Sequence, residues 1–558
     1  MRRRDFLTGL GAASLLRAAP EGPFQFVDIA AKAGITAPVV YGNPDRKTHI
    51  IETNGCGIAF FDYDNDGWVD LFVPGGSRLD GNTAGMTNRL YKNNRDGTFT
   101  DVTKKAGLER VVWASGVCVG DYNNDGFDDL FISCWGQNIL YRNNGNGTFT
   151  DVTKQAGLLH PVTVWGAGCT FADFHHTGFL DLFVSTYLDF DLKKVPLPGG
   201  GEFCNWKGVP VNCGPRGLPT GRNFLYRNNG DGTFTDVSEA SGIAKIEHRY
   251  AMTAVAADFD DDGWPDIYVA CDSTPSIFYR NNRDGTFTDT ALESGVAYNE
   301  DGREQAGMGL AIGDYLNTGQ LGIFKTHFMD DTPILYNNQG KGRFADMTAK
   351  GGFGGFTRFV GWGAGFADFD NDGLLDLLFV NGSVYPEVES YFKEYTYKNP
   401  RILLRNMGKG EFADVSKICG TGITDVHSSR GCAFGDFDND GLMDVAIMNM
   451  GEPPSLLHNR TVTSNRWLKL KLRGTKSNRS AIGAKAFVTA GGRRQRQEVL
   501  SQSSFYSQND LRLHFGLGQA ESAEVEIAWP SGLRELYKNL KANQIVEIKE
   551  GRGDQLSR

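Results

Sequence analysis

The chain repeats one alternation of apolar and acidic segments along most of its length. A short apolar run such as GIAFF at 57–61 precedes an acidic turn, and DLFV at 70–73 follows it. RLYKNN at 89–94 and TFTDVT at 98–103 come next, before the following apolar run. Short β-rich runs bounded by Gly, Asn and Asp predict strands. Each repeat therefore predicts four short antiparallel strands.

The repeat occurs seven times, and the two ends of the array complement each other. The seventh unit ends with SLLHNR at 455–460 and lacks its fourth strand, whereas FQFVDIAAKAGI at 24–35 matches TFTDVTKKAGL of the first unit. We expect this N-terminal strand to complete the last unit and to hide the edges that an open sheet exposes. The pattern predicts an all-β fold, a seven-bladed β-propeller closed by the N-terminal strand.

The pattern changes after residue 465. Segments such as WLKLKLRG and AEVEIAWPSG are strand-like and are separated by Gly, Ser and Asn. They predict a second, small β-sandwich-like domain. We therefore expect four parts: an export signal at 1–19, the propeller at 24–460, the β-sandwich-like domain at 465–550 and a tail at 551–558.

The acidic turn of the first unit, DYDNDGWVD at 62–70, has Asp at positions 1, 3, 5 and 9. Gly67 at position 6 permits the sharp turn that brings these acids together. Four neighbouring carboxylates repel one another unless a cation neutralises them, and oxygen ligands in a flexible loop favour Ca²⁺. The loop begins like an EF-hand, but position 12 is Val73 and both flanks are strands. We therefore predict a calcium loop within a β-hairpin.

Five of the seven loops keep the full set of oxygen ligands, and we predict about five bound Ca²⁺ ions. The predicted metal ligands are Asp62, Asp64, Asp66, Asp70, Asp121, Asn123, Asp125, Asp129, Asp258, Asp260, Asp262, Asp266, Asp368, Asp370, Asp372, Asp376, Asp436, Asp438, Asp440 and Asp444. The loop at Asp173 offers His175 and Thr177 instead of acids, and the loop at Asp314 ends in Gly322. We expect little or no calcium at these two. Calcium should stabilise the folded chain by linkage.

The charge balance argues against a nucleic-acid partner, because the formal net charge is −10. The N-terminus, MRRRDFLTGLGAASLLRAAP, places Arg3 and Arg4 before a short apolar run, which is typical of a twin-arginine (Tat) export signal. Residues 1–19 contain four Arg and one Asp, so their removal would leave a periplasmic or secreted chain of charge −13 with no transmembrane segment. Five Ca²⁺ would bring that charge to about −3.

Two of the nine cysteines have an unusual context. Cys204 and Cys213 lie in FCNWKGVPVNCGPRGLP, a Gly- and Pro-rich insertion, whereas most others lie in apolar, strand-like runs. Buried thiols behave as small apolar side chains, and an exported protein permits disulfide formation. We predict a disulfide between Cys204 and Cys213.

The repeated units resemble the FG-GAP/VCBS repeats of integrin α-chain propellers and of many exported bacterial proteins. SAIGAKAFV, QSSFYSQND, LHFGLG and WPSG near the C-terminus resemble the ASPIC/UnbV domain. Together the chain is similar to bacterial members of the cartilage acidic protein group over nearly its whole length after residue 23. The resemblance implies a calcium-binding propeller and no particular reaction.

Strand parity separates two ends of the predicted propeller. The first and third connections of each blade lie at one end, with the calcium loops, and the second connections lie at the other. Three second connections are long, at 74–87, 185–222 and 381–400. Residues before the innermost strands should converge on the central funnel at that insertion end. The candidate ligand-binding residues are Glu52, Trp113, Trp165, Arg249, Tyr250, Glu304, Trp362 and Arg430.

These residues suit two interpretations. Aromatic and charged side chains at a funnel mouth are what a polar ligand site requires, but the tryptophans would also plug the funnel while the charges pair. The sequence contains neither a Gly-rich phosphate loop nor HExxH. We predict an exported calcium-binding propeller that binds a glycan or an extracellular or periplasmic protein through the insertion end. The alternative is an extracytoplasmic, hydrolase-like enzyme that uses Glu52 and Glu304 in the funnel, with structural calcium.

Overall fold

The computed structural model describes residues 22–556, so the export signal expected at 1–19 lies outside the described residues. The fold is all-β, with 39% strand and 7% helix. Its short helices are Ile51–Asn54, Thr103–Ala106, Ala291–Ser294, Thr348–Gly351 and Thr421–Thr424, and its 3₁₀ turns are Ile243–Lys245, Phe353–Phe356, Pro386–Ser390 and Ser416–Ile418. Within residues 22–556, no helix has the length and apolar character needed to cross a bilayer.

Each of the seven repeats corresponds to four antiparallel strands, and we number these four-stranded units sheets 1 to 7. Five units are separate sheets, whereas sheets 2 and 3 are joined into one eight-stranded sheet because Val164 and Trp165 pair with Gly136 and Trp135. In each sheet the acidic loop joins the first strand to the second, and in sheets 1 to 6 a Gly-containing turn joins the third to the fourth. Sheet 1 contains Ala59–Phe61, Asp70–Val73, Arg89–Asn93 and Phe99–Asp101; sheet 2, Ala114–Gly120, Asp129–Gly136, Ile139–Asn143 and Phe149–Asp151; sheet 3, Val164–Ala172, Asp181–Thr186, Phe224–Asn228 and Phe234–Asp236; sheet 4, Ala251–Ala257, Asp266–Cys271, Ile277–Asn281 and Phe287–Asp289; sheet 5, Gly307–Gly313, Gly322–His327, Ile334–Asn338 and Phe344–Asp346; sheet 6, Gly361–Ala367, Asp376–Asn381, Ile402–Asn406 and Phe412–Asp414.

Sheet 7 joins the two ends of the array. Its first three strands are Ser429–Gly435, Asp444–Asn449 and Ser455–Asn459, and Phe26–Asp28 adds the fourth. In this register Phe26 faces Asn459 and Asp28 faces Leu457. The side chain of Phe26 is fully buried. The strand that the seventh repeat lacks therefore comes from the start of the described chain.

A buried asparagine links each sheet to the preceding one. It ends the third strand, and its Nδ2 donates to the carbonyl of loop position 2 in the neighbouring sheet. The bonds, at 2.7–3.1 Å, join Asn93 to Phe437, Asn143 to Tyr63, Asn228 to Tyr122, Asn281 to Phe174, Asn338 to Phe259, Asn406 to Tyr315 and Asn459 to Phe369. The first bond connects sheet 1 to sheet 7, so the series returns to its start. The first strands contact one another in the same cyclic order.

Small residues allow these first strands to approach closely. A Cβ atom on Gly309 would lie 1.9 Å from the carbonyl oxygen of Trp362, and one on Gly363 would lie 2.7 Å from the backbone nitrogen of Cys432. Neither distance is possible for a larger residue without movement of the backbone. The Gly- and Ala-rich character of the first strands thus follows from their crowding.

Two further sheets follow the array. One has the strand order Leu513–Gly518, Arg466–Arg473 and Gln544–Lys549; the other has the order Arg493–Glu498, Lys485–Ala490, Ser522–Ala528, Arg534–Lys541 and Asp554–Gln555. Leu468, Val488 and Phe515 belong to their shared apolar core. The last strand lies in the segment that the sequence suggests is a tail. The Glu535 carboxylate accepts the N–H groups of Gly551 (3.0 Å) and Gly553 (2.6 Å), which holds that segment against the sheet.

Candidate functional site

All seven acidic loops share one backbone turn. The carboxylate at position 1 accepts the N–H groups of positions 5 and 6; in sheet 4, Asp258 receives them from Asp262 at 3.1 Å and Gly263 at 2.7 Å. Position 4 has a φ of 51–60° in every loop. Asn or Asp, which tolerate this left-handed conformation, occupy it in six of the seven loops. The turn itself thus depends on positions 1, 4 and 6.

The carboxylate at position 9 is buried in all five intact loops. In sheet 4, Asp266 is 1% exposed, and its Oδ1 accepts the N–H of Asn281 at 2.9 Å. Burial raises the pKa of Asp266 well above its usual range, and the neighbouring loop acids add to this effect. Burial likewise raises the pKa of Asp70, Asp129, Asp376 and Asp444. A buried carboxylate remains ionised only when positive charge lies beside it.

Carboxylate oxygens converge in four of the intact loops. At least three acidic side chains in each offer oxygen atoms within 4.8 Å of one another, in the loops that begin at Asp62, Asp258, Asp368 and Asp436. Three buried oxygens, Asp64 Oδ1, Asp266 Oδ2 and Asp438 Oδ1, have no hydrogen-bond partner within residues 22–556. Unpaired oxygens in a cluster of acids are the ligands that a hard cation such as Ca²⁺ prefers. In the fifth loop, Asn123 donates instead to Asp125 at 2.9 Å.

Basic side chains of the third strands and the following turns reach the same loops. In sheet 4, Arg280 lies 2.8 Å from Asp260, and Arg283 lies 2.6 Å from Asp262. In sheet 6, Arg405 lies 2.9 Å from Asp370. Both sheet 4 arginines are about half exposed, and exposed ion pairs contribute little. These contacts neutralise acids at positions 3 and 5. They leave the buried carboxylate at position 9 without a basic partner.

The two incomplete loops lack acids that the intact loops have, and they differ from each other at position 9. In sheet 3, His175 occupies position 3, and its Nδ1 lies 2.7 Å from the buried carboxylate of Asp181. In sheet 5, position 9 is Gly322, and a Cβ there would lie 2.4 Å from the Tyr315 ring. One loop thus places a histidine beside the buried acid, and the other has no such acid.

The C-terminal sheets cover the acidic end of the array. Lys469 lies 2.6 Å from Asp436, with both side chains fully buried, and Lys471 lies 3.1 Å from Asp62. Although burial opposes it, the Lys469 ammonium holds the pKa of Asp436 below its usual value. Lys485 pairs with Asp258 in the same way. These lysines contact Oδ2 of each position 1 acid, so Oδ1 retains a lone pair for a cation.

Residues 501–510 of the C-terminal part fill the space between the first strands. Ser504 exchanges two backbone hydrogen bonds with Leu310, each at 2.7 Å. The segment also bonds the first strands of five other sheets, through Phe60, Val117, Cys169, Ala364 and Phe434. Phe505 and Tyr506 are fully buried. The centre of the array is therefore plugged by QSSFYSQND.

A cavity of about 310 Å³ lies at the end opposite the acidic loops. Tyr187, Asp272, Trp362 and Tyr385 line it, and residues 202–216 of the long insertion cover it. Asp272 accepts hydrogen bonds from Tyr187 Oη (2.5 Å) and Ser273 Oγ (2.8 Å), and burial raises the pKa of its carboxyl. Phe505 packs behind Trp362 with 4.9 Å between ring centroids. The cavity thus combines aromatic walls with a carboxylate.

The cover of this cavity is a loop closed by a disulfide between Cys204 and Cys213, the pair for which the sequence predicts a bond. Trp206 of this loop packs edge-on against Tyr395, 4.8 Å away, in the insertion of sheet 6. Lys207 contacts Tyr395 Oη at 2.7 Å and Asp330 at 3.0 Å. The two insertions therefore meet above the cavity.

Profiles of known families match both parts of the chain. The FG-GAP-like repeat profile matches residues 62–132, 121–184, 217–269, 258–324 and 395–447, together about half of the 558 residues. The chain belongs to the FG-GAP-like repeat family. A second profile, ASPIC and UnbV, matches residues 474–555 of this FG-GAP protein. The resemblance noted in the sequence is confirmed.

Curated relatives of this FG-GAP protein include Cartilage acidic protein 1 of Xenopus tropicalis, which is 29% identical over 278 residues, 48% of this chain and 40% of the relative. The Homo sapiens protein is 26% identical over 292 residues, 51% of this chain and 41% of its own. The matched region thus spans about two fifths of the length of these relatives.

Two solved structures resemble the FG-GAP chain distantly. An Agrocybe aegerita lectin that recognises non-reducing terminal N-acetylglucosamine has 16% identity and a TM-score of 0.39, over 70% of this chain and 88% of the lectin. BBS1N in complex with ARL6DN has 10% identity and a TM-score of 0.41, over 79% and 99% of the respective chains. No function transfers from similarity at this level.

Of the eight candidate ligand-binding residues of the FG-GAP protein, Trp362 lies in the cavity wall. Arg430 is fully buried, stacks 4.2 Å from the Trp362 ring and donates to backbone carbonyls such as that of Thr53. The Glu52 carboxylate accepts the N–H groups of Asn43, Thr48 and His49. The polar groups of both Glu52 and Arg430 are therefore hydrogen-bonded to the backbone, which indicates a structural role.

The remaining five candidates do not line this cavity. Trp113 and Trp165 are buried and donate from Nε1 to Ile51 O and Ser115 Oγ, and Tyr250 donates to Leu218 O. Arg249 is half-buried and Glu304 is exposed. The prediction that these side chains converge with Trp362 on one site is therefore not supported by their positions.

The sequence reasoning missed the insertion residues and Asp272. Asp272 follows the second strand of sheet 4, whereas the candidate residues predicted from the sequence all precede the first strands. The second strands end at the same end of the array as the long insertions. The strand order therefore places Asp272 at the insertion end. Only the contacts of residues 202–216 show which side chains meet there.

Proposed function

We propose that the chain is an exported, calcium-stabilised, seven-bladed β-propeller that binds an extracellular ligand at its insertion end. The cyclic series of asparagine bonds supports a closed propeller. The proposed boundaries are 1–19 for the export signal, 24–460 for the propeller, 465–550 for the β-sandwich-like domain and 551–558 for the tail. The cartilage acidic protein relatives support an extracytoplasmic location.

Calcium is the proposed ion because the intact loops provide only oxygen ligands. The ligands at each site would be the side chains at positions 1, 3, 5 and 9, including the buried Asp70, Asp129, Asp266, Asp376 and Asp444. The unpaired oxygens of Asp64, Asp266 and Asp438 are the observation that supports this assignment. About five ions would be held, and the loops at Asp173 and Asp314 would remain without one.

The cavity beneath the insertion is the observation that carries the binding function. It lies away from the covered acidic end, and it presents aromatic faces and a buried carboxylate to one space. Small-molecule sites combine apolar walls with a few convergent polar groups in this way. The proposed ligand is a glycan, or an extracellular or periplasmic protein. Glu52 is bonded to backbone N–H groups and Glu304 is exposed, so the hydrolase alternative receives no support from that pair.

The test is a binding screen with the full chain in calcium, against a glycan panel and extracellular proteins. We expect a ligand whose affinity falls at least tenfold in W206A and D272N, because both changes alter the cavity. N282A, which replaces an exposed residue in the turn of sheet 4, serves as the control and should bind normally. A ligand that binds both cavity variants as tightly as the parent would refute the proposed location.

A further inference from the structure

The size and cover of the cavity restrict what enters it. Its volume of about 310 Å³ is near the lower end of the range for small-molecule sites, roughly 300–1,000 Å³. The disulfide loop crosses above it, and Trp206 contacts both Phe392, at 5.8 Å, and Tyr395. A cavity of this volume suits a compact group or the end of a chain better than a protein surface or the middle of a polymer chain.

The polar groups of the cavity include donors without partners. Asn54 and Asn212 both line it, with 5% and 1% of their surfaces exposed, and neither Nδ2 atom has a hydrogen-bond partner within residues 22–556. A buried donor left unpaired costs free energy, on the order of 1–3 kcal/mol. A ligand with acceptor oxygens at these two points would recover that cost.

The cavity also contains a hydrogen-bond acceptor and aromatic faces. Asp272 offers a carboxylate that already accepts from Tyr187 and Ser273 and retains lone pairs. Trp206 and Trp362 present ring surfaces in the same cavity. A sugar ring has hydroxyls that both donate and accept, together with C–H faces that pack on aromatic rings. The charged groups of the lining are Glu202, Asp272 and Arg216, so the site has no unmatched positive charge for an anion. Burial raises the pKa of the Asp272 carboxyl, which disfavours a negative charge there.

We infer that the cavity holds the uncharged terminal unit of a saccharide, of one or two rings, beneath the disulfide loop. The inference rests on the proposed function and sharpens it, since it selects a saccharide end over a protein surface. Hydroxyls would accept from the amides of Asn54 and Asn212 and donate to Asp272. The contact of Lys207 with Asp330 lies at the exposed edge of the cover, where a single ion pair is weak. That contact would open for ligand entry.

The test measures calorimetric binding of neutral monosaccharides and disaccharides to the full chain with calcium. The comparison ligands are a uronic acid, an amino sugar and a cyclic oligosaccharide, which has no chain end. We expect at least one neutral sugar to bind, with the charged analogues at least tenfold weaker and the cyclic oligosaccharide without measurable binding. Removal of the cover in the double variant C204S/C213S should increase the dissociation rate.

Variants assign the contacts. N212A and N54A should each weaken sugar binding about tenfold, whereas N82A, at an exposed position in another insertion, should leave it unchanged. Thermal unfolding checks that each variant is folded, and N212D repeats the test with the shape retained and the NH2 donor group replaced by an accepting oxygen. Equal binding of the cyclic oligosaccharide, preference for a charged sugar, or unchanged affinity in N212D would overturn the inference. Capture of an extracellular protein with no saccharide binding would also overturn it and would leave the proposed function intact.

Discussion

The acidic loops of sheets 4 and 5 have the same backbone turn and different acids. Asp258 and Asp314 each accept the N–H groups of positions 5 and 6, at 2.7–3.1 Å. Sheet 4 adds acids at positions 3, 5 and 9, whereas sheet 5 has Leu316, Thr318 and Gly322 at these positions. The turn therefore forms without the additional carboxylates. Their presence in sheet 4 needs another explanation, and the proposed calcium ion would provide it.

Sheet 3 lies between these two cases. It retains the buried Asp181 at position 9 but places His175 beside it at 2.7 Å. The buried acid at position 9 thus lies beside further acids in sheet 4, lies beside a histidine in sheet 3, and is absent from sheet 5. The comparison suggests that a bound cation and a histidine are alternative partners for the buried carboxylate at position 9.

Removal of calcium should have the largest effect. Five sites that bind only the folded chain would each contribute about 2.7 kcal/mol at a free ion concentration 100 times the dissociation constant. We expect a chelator to lower the melting temperature by roughly 10 °C or more. Differential scanning calorimetry with and without chelator measures this shift. An unchanged melting temperature would contradict the calcium assignment in every loop at once.

Substitution of a single acid separates sheet 4 from sheet 5. D266N should remove one bound ion per chain and about 2–3 kcal/mol of calcium-dependent stability. D314N should weaken the turn by about 1 kcal/mol, because it replaces one of the two oxygens that accept N–H groups with an NH2 group. This loss should be the same with and without calcium. Metal analysis and urea unfolding in both conditions measure the difference. Equal calcium dependence in the two variants would show that the loops do not differ in the proposed way.

The pH dependence of the calcium-free chain gives a smaller effect. Burial raises the pKa of Asp121 to about 7 and that of Asp173 to about 6. Both groups bind a proton more tightly in the folded chain, so their contribution to stability is greatest below about pH 4 and is lost as the pH rises through 6 and 7. Bound calcium should cancel the pH-dependent contribution of Asp121 to stability. The contribution of Asp173 should remain.

The D121N variant isolates this contribution. Its stability in chelator should fall less than that of the parent between pH 4 and 7, by at most a few kcal/mol, as measured by urea unfolding at each pH. With calcium present, the parent should no longer lose stability through Asp121 in this range. A parent and a variant with parallel curves in chelator would contradict the assignment.

The smallest effect is expected from restoring the incomplete loop of sheet 3. The double variant H175D/T177D places acids at positions 3 and 5 beside the buried Asp181. We expect one additional bound ion and a gain of about 1–2 kcal/mol in calcium. Metal analysis measures the ion count, and the parent chain is the control. No additional ion would mean that acids at these positions are insufficient for a site.

The sequence predicted the parts of the fold that depend on local pattern. The seven repeats, the strand before and after each acidic loop, and the all-β class follow from short-range periodicity. Asn93 and its six equivalents end the third strand of each repeat, and each also bonds the neighbouring sheet. Their second role depends on contacts between repeats, which a single repeat does not reveal.

The candidate site was harder to predict because it is built from distant segments. The docking of Lys469 on Asp436 and the insertion of residues 501–510 join parts of the chain that carry no matching pattern in sequence. Glu52 and Arg430 have the composition of a ligand site, yet their polar atoms bond the backbone. Composition alone does not distinguish a polar group that is free from one that is bonded.

The central segment at 501–510 has a consequence for the order of assembly. The first described strand belongs to the last sheet, and the space between the first strands is filled by residues near the C-terminus. A growing chain can form individual sheets as they emerge from the ribosome, but neither end of this arrangement is complete until the last residues are made. Loss of residues 501–510 would therefore expose the inner strands of six sheets at once, so these strands remain open to solvent until that segment has been made.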